Sequence, residues 1–177
     1  MMRRVLSWLI IALNLGWGAH AQTSQAVPEY TMKAAYLYNF ALLTTWPTTS
    51  PFGASFNLCL YGQDDFGPAL DVLNGKEVNG QRVQVLRIER AEDALQCRLI
   101  FIGETNTSRI SQLAKVLGRA PILTVTDGYP ARSIGAMIHL APENHRLSFE
   151  VNTGATESAN LQLSSKLLRL AARVVSP

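Results

Sequence analysis

Apolar residues recur along this chain in two rhythms, a 3.6-residue stripe and short runs or alternations, and the switches between them mark its elements. Residues 29–45 lack Gly and Pro; Tyr30, Ala34, Leu37 and Ala41 fall on one stripe widened by Phe40. That predicts an opening helix, ended by Trp46-Pro47 because proline drives its predecessor out of the α region. Residues 56–61 read as a strand. Asp64 is a candidate N-cap for a helix that stops at Leu73-Asn74-Gly75. Asn79-Gly80 marks a tight turn before the alternation Val83, Val85, Ile88. Residues 92–95 form a helical turn. The runs 99–102 and 121–125 are apolar almost throughout, as strands covered on both faces are. Between them Asn106 or Thr107 caps a helix with Ile110, Leu113, Ala114 and Leu117 on one face, stopped at Gly118. Residues 135–140 and 145–151 read as an antiparallel hairpin across 141–144. A last helix is expected over 162–174, with Leu163, Leu167, Leu170 and Val174 as its stripe. This alternation predicts one α/β domain with a mixed, mostly parallel sheet and helices on both faces, a three-layer sandwich.

Composition changes the picture mainly at the N-terminus. Arg3 and Arg4 precede an apolar stretch over 5–15, and Ala19-His20-Ala21 offers small residues at a cleavage position. This is the pattern of a cleavable secretory signal over 1–21, too short in its apolar core for a comfortable membrane span. The expected boundaries are therefore signal 1–21, flexible lead-in 22–28 and domain 29–177, exported and not membrane-inserted after cleavage. The full chain carries 16 Lys+Arg against 13 Asp+Glu, a net charge of +3. Losing Arg3 and Arg4 reduces that to +1, and no basic cluster remains to recommend nucleic acid as a partner. Export also gives meaning to the two cysteines, since oxidising compartments let disulfides persist. A Cys59–Cys97 bridge would join two predicted strands across a loop of about 39 residues and contribute roughly 3–4 kcal/mol. Two buried free thiols are the alternative reading. A redox site is less favoured, because there is no Cys-x-x-Cys pair.

The signatures of common catalysts are missing: no Gly-x-Ser-x-Gly, His-Glu-x-x-His, phosphate-binding Gly-rich loop or Gly-x-Gly-x-x-Gly occurs. Glu143, His145 and His139 could make a metal site, but polar groups at an exposed turn explain them more simply, and no metal or cofactor is expected. Ser164-Ser165-Lys166 reads as a helix start rather than a Ser–Lys dyad, since adjacent helical residues diverge. The aromatics of the first helix say more. Burying one stripe would leave Tyr36 or Tyr38 outside, available for a protein partner or a dimer contact. In Phe149-Glu150-Val151-Asn152, Phe149 and Val151 share the core face, while Glu150 and Asn152 face outward to meet a partner.

Several segments in order resemble the YfiR-like family of exported bacterial proteins. They are residues 29–40 with Trp46-Pro47, Leu58-Cys59-Leu60-Tyr61-Gly62, residues 96–102, residues 122–127, Gly135-Ala136-Met137-Ile138, Phe149-Glu150-Val151-Asn152 and residues 164–171. The resemblance implies a non-enzymatic periplasmic regulator that represses an inner-membrane diguanylate cyclase by binding its periplasmic domain, and so lowers cyclic-di-GMP. It also implies, in the best-known systems, an outer-membrane peptidoglycan-binding lipoprotein that sequesters the repressor. Cys59 and Cys97 match the family's recurring cysteine pair; the second pair of some members is absent. Carried over, Glu150, Asn152 and Ile138 become candidates for the cyclase-facing surface, and Tyr36 and Tyr38 for a homodimer or partner surface. The alternative from another class is a periplasmic small-molecule receptor acting with a transporter or sensor kinase, its ligand held at the strand ends of the sheet.

Overall fold

The computed structural model describes residues 29–48, 53–63, 65–143 and 146–176. The expected signal over 1–21, the lead-in over 22–28, Asp64 and His145 lie outside the described residues. In chain order the elements are α1 (Glu29–Leu42), β1 (Thr44–Thr45), β2 (Ser55–Tyr61), α2 (Pro68–Asp71), β3 (Glu77–Val78), β4 (Gln81–Ile88) and a 3-10 turn (Ala91–Gln96). There follow β5 (Leu99–Ile102), α3 (Thr107–Leu117), β6 (Leu123–Thr126), α4 (Tyr129–Ser133), β7 (Ile138–Glu143) and β8 (Arg146–Asn152). Then come α5 (Thr153–Ser158), β9 (Gln162–Leu163), α6 (Ser165–Leu170) and β10 (Arg173–Val175).

Eight strands form one mixed sheet in the order β10-β8-β7-β6-β5-β2-β4-β3. Strands β4, β2, β5, β6 and β7 run parallel, β3 is antiparallel to β4 and β8 to β7, and β10 pairs in parallel with β8. Period-2 alternation divides the sheet's side chains between two cores. Phe56, Leu58, Leu60, Leu99, Phe101, Leu123, Val125, Leu140, Phe149 and Val151 meet α1, α2 and α6 on one face. Cys59, Tyr61, Ile100 and Ile102 meet the 3-10 turn, α3 and α4 on the other. The expected single α/β domain with helices on both faces is present. The flat three-layer sandwich is not: the sheet curls into a half-barrel. Right-handed strand twist accumulates across eight strands, and that is the physical source of such curling.

Local signals explain most boundaries. Asn106 caps α3, its Oδ1 accepting from the amides of Ser108 and Arg109, and Gly118 at φ +51° ends it. Asn79 and Gly80 both take positive φ, joining β3 to β4 as a tight hairpin. Two expectations need correction. The helix expected to run to Leu73 shrinks to the four residues of α2, because Gly67 at positive φ and Pro68 set its start later than the Asp64 position. The last helix ends at Leu170: Ala171 is extended, and the β-branched pair Val174-Val175 joins the sheet as β10. Of its expected stripe only Leu167 is buried; Leu170 is 64% exposed.

Candidate interaction surface

Cys59 and Cys97 are bonded, with Cα atoms 5.9 Å apart and neither residue exposed. The bond ties the middle of β2 to the residue leading into β5, beneath the 3-10 turn. Free thiols, the competing reading, are thereby excluded.

At the carboxyl ends of β2 and β5 the strand order reverses, which is where an open α/β sheet leaves room for a ligand. In this chain the room is taken by backbone. The Gly103 amide donates to the Tyr61 carbonyl at 3.0 Å. Gly62 stands so close to Glu104 that a Cβ would lie 2.6 Å from its backbone nitrogen. Arg109 closes the spot from above, pairing with the Glu104 carboxylate at 2.7 Å and lying over the Tyr61 ring at 5.5 Å.

The end of β6 next to it is closed by a buried cation. The Lys33 ammonium, on α1, reaches Asp127 and Glu29, both at 2.6 Å. Burial alone would pull its pKa down, but the hydrogen bonds it donates to the two carboxylates, with their negative charge, outweigh burial and hold it above the usual lysine value. Lys33→Met is expected to cost about 1–2 kcal/mol, a modest figure because Asp127 and Glu29 keep access to water. Since the folded pKa is raised, that stabilisation is complete below pH ~10.4 and fades only as pH climbs through the folded value. Urea unfolding at pH 7 and pH 11 checks this, with the difference between the proteins shrinking at the higher pH.

Tyr36 and Tyr38 are half-buried rather than projecting freely. Tyr36 packs edge-on against Phe40 and Phe149 at 5.7 and 5.8 Å, and its hydroxyl donates to the Leu147 carbonyl. Tyr38 donates to the Glu77 carbonyl. Their core contacts tie α1 to both ends of the sheet. What stays open beside them is an apolar cleft of about 480 Å3 between α1 and α6, walled by Tyr36, Phe40, Phe149, Leu167 and Leu170.

On the β7–β8 pair the sequence-derived residues separate. Phe149 and Val151 are buried as expected. Ile138 is wholly buried too, paired with Val151 on the core face, so it cannot touch a partner directly; the period-2 rule places it there. Glu150 is outward but occupied: one carboxylate oxygen accepts from Arg132 on α4, and the other faces Arg173 on β10 at 3.6 Å. Asn152 caps α5, its Oδ1 accepting from the Ala155 amide at 3.0 Å. Both border a cavity of about 180 Å3 whose remaining polar walls are Arg132 and His139. His139 sits opposite Glu150; burial and then the charge of Arg132 hold its pKa below the ordinary value.

No cluster of three metal-ligating residues occurs among the described residues, and the Glu143 side chain and His145 lie outside them. Ser164 uses its hydroxyl to cap α6, accepting from the Leu167 amide. That is the helix-start role expected of Ser164-Ser165-Lys166, whereas nothing in the sequence announced Arg132 and Arg173, which topology alone brings to Glu150.

A disulfide-braced α/β domain, closed at its switch point, with an ion cluster and an apolar cleft at its surface, describes the class. The chain belongs to the YfiR/HmsC-like family, DUF4154, whose profile matches residues 30–172. That family is one of non-catalytic regulators and is characteristically periplasmic. A solved structure of the ABC domain in complex with L-Trp from Streptococcus pneumonia is similar over 68% of this chain, with 9% identity and a TM-score of 0.47. The chain spans 55% of that protein's length, and the bound tryptophan is a property of that protein.

Proposed function

We propose that this chain is a periplasmic regulatory protein that represses an inner-membrane diguanylate cyclase by binding its periplasmic domain, lowering cyclic-di-GMP output. The observation that carries this reading is membership of the YfiR/HmsC-like family across residues 30–172. The buried Cys59–Cys97 bond supports it, since such a bond suits an oxidising compartment. In the same reading residues 1–21 direct export, and an outer-membrane peptidoglycan-binding lipoprotein relieves repression by competing for the chain. Repression of this kind requires only a difference in affinity for two states of the cyclase. The Glu150 and Asn152 surface is the proposed cyclase contact. The α1–α6 cleft near Tyr36, rimmed by exposed Leu42 and Leu170, is the proposed homodimer contact. The small-molecule receptor is the weaker alternative, because backbone fills the switch point where its ligand would sit.

Deleting the gene is expected to raise cellular cyclic-di-GMP, and expression of the intact protein to restore it. Unchanged cyclic-di-GMP in the deletion strain would remove the proposal. At the level of the surface, Glu150→Arg places a third cation between Arg132 and Arg173 and is expected to reduce capture of the cyclase's periplasmic domain from solubilised membranes.

A further inference from the structure

Strand β10 covers the edge of β8 without being anchored in the core. Its residues pair in parallel, Arg173 with Glu150, Val174 with Val151 and Val175 with Asn152. All three are exposed, Val174 and Val175 at 44% each. The strand is held by the ladder, by the Arg173–Glu150 ion pair at 3.6 Å, by the Ala172 amide donating to the Phe149 carbonyl, and by Thr153 donating to the Val175 carbonyl. Strand β8 is different in kind. Phe149 and Val151 are 4% and 1% exposed, and β7 pairs with six of its residues. A rigid edge therefore lies under a cover whose two valines both stay nearly half exposed. Segments of that kind open at far lower free energy than the core.

We propose that β8 is a docking edge for strand addition, that β10 is its displaceable cover, and that the occupant is an extended segment of a protein partner carrying a basic residue opposite Glu150. This rests on the regulatory reading above and names the surface and the binding mode. Glu150 specifies the chemistry. Its carboxylate stays half-neutralised by Arg132 when β10 leaves, and the vacated oxygen then faces the position Arg173 held. A Lys or Arg followed by β-branched residues would restore the pairing, as β10's own Arg-Val-Val does. Main-chain hydrogen bonds would supply affinity and Glu150 the register. Because cover and occupant compete for one edge, whatever loosens β10 strengthens binding.

The test uses a fluorescent peptide with the sequence of residues 171–177, titrated into the full chain at low salt. Arg173→Glu in the protein sets two carboxylates against each other across the ladder and is expected to tighten peptide binding about fivefold. Val174→Pro, which removes a strand amide at an edge that tolerates proline, is expected to act in the same direction. A peptide with Glu in place of its Arg is expected to bind more weakly, and adding Glu150→Gln to the Arg173→Glu protein is expected to cancel its tighter binding, since it frees the cover of repulsion and takes the peptide's partner away. Hydrogen exchange in the unmodified protein should show the amides of Ala172 and Val174, which face β8, exchanging well ahead of those of Ser148 and Glu150, which face β7. Equal protection of the two strands would overturn the proposal. So would tighter peptide binding being absent in both protein variants, and weaker binding in them would place the peptide on the outer edge of β10 instead. Peptide binding that follows this pattern in a protein unable to capture the cyclase domain would leave the docking edge standing and remove the cyclase.

Discussion

Replacing both Cys59 and Cys97 by alanine is expected to lower the melting temperature by roughly 6–16 °C. The figure follows from a loss of roughly 3–4 kcal/mol for a loop of this length, at about 2–4 °C per kcal/mol in a domain of this size. The two residues are separated by 38 positions, and the loop they close contains α2, β3, β4 and the 3-10 turn. All of that chain must return to place the strand pair β2–β5 at the centre of the sheet. Without the bond the denatured chain gains the freedom the bond had denied it, so urea unfolding should show a steeper slope as well as a lower midpoint. Both sulfurs are buried, so mild reductant reaches the bond only through opening of the domain. Thermal unfolding of the oxidised protein, of the protein reduced in denaturant and refolded, and of the double-alanine variant makes the comparison. A shift below about 2 °C would mean that packing of the second core holds β2 to β5 without the covalent link.

The central strands were legible in the sequence because burial on both faces writes itself as an uninterrupted apolar run, as in Leu99-Ile100-Phe101-Ile102. Asn106, Asn79-Gly80 and Gly118 were legible because each solves a backbone problem that few residues solve. The C-terminal region was not. Leu163, Leu167, Leu170 and Val174 fit a helical stripe, yet only Leu167 finds a core to enter, and the edge of β8 captures Val174 as a strand residue. Tertiary pairing overrode a local pattern. The short helices α4 and α5, each under two turns, were too brief for a periodic stripe to show. Glu150 was legible as an outward acid by period 2; its two arginines were not. Arg132 lies 18 residues before it, and the contact of Arg173 depends on β10 returning to the sheet. The disulfide was accessible from export and cysteine count, whereas closure of the switch point depends on two loops meeting, which no local pattern records.

That closure makes the second prediction. Gly62→Ala is expected to destabilise the protein by about 3 kcal/mol, and Gly103→Ala by a similar amount. Gly62 has φ +91°, a conformation a Cβ already disfavours, and its Cβ would stand 2.6 Å from the Glu104 backbone nitrogen and Cα. The neighbour is backbone, fixed by the hydrogen bond from the Gly103 amide to the Tyr61 carbonyl and by the start of α3, so it cannot swing aside. At Gly103 φ is ordinary, and the whole effect would come from contact, because its Cβ would fall on the Gln63 carbonyl oxygen. Gly135 separates the two causes: its φ of +90° matches Gly62, but a Cβ there meets nothing within 4 Å. Gly135→Ala should therefore cost only the conformational part, about 1–2 kcal/mol. Urea unfolding of the three variants decides. Equal losses at Gly62 and Gly135, with none at Gly103, would show that the loops can part cheaply. The switch point would then be an openable crevice, and the small-molecule receptor would regain the physical basis it now lacks. Losses at Gly62 and Gly103 both exceeding that at Gly135 would fix the loops as a packed joint. Binding must then occur elsewhere on the domain, as the proposed contacts at the β8 edge and the α1–α6 cleft require.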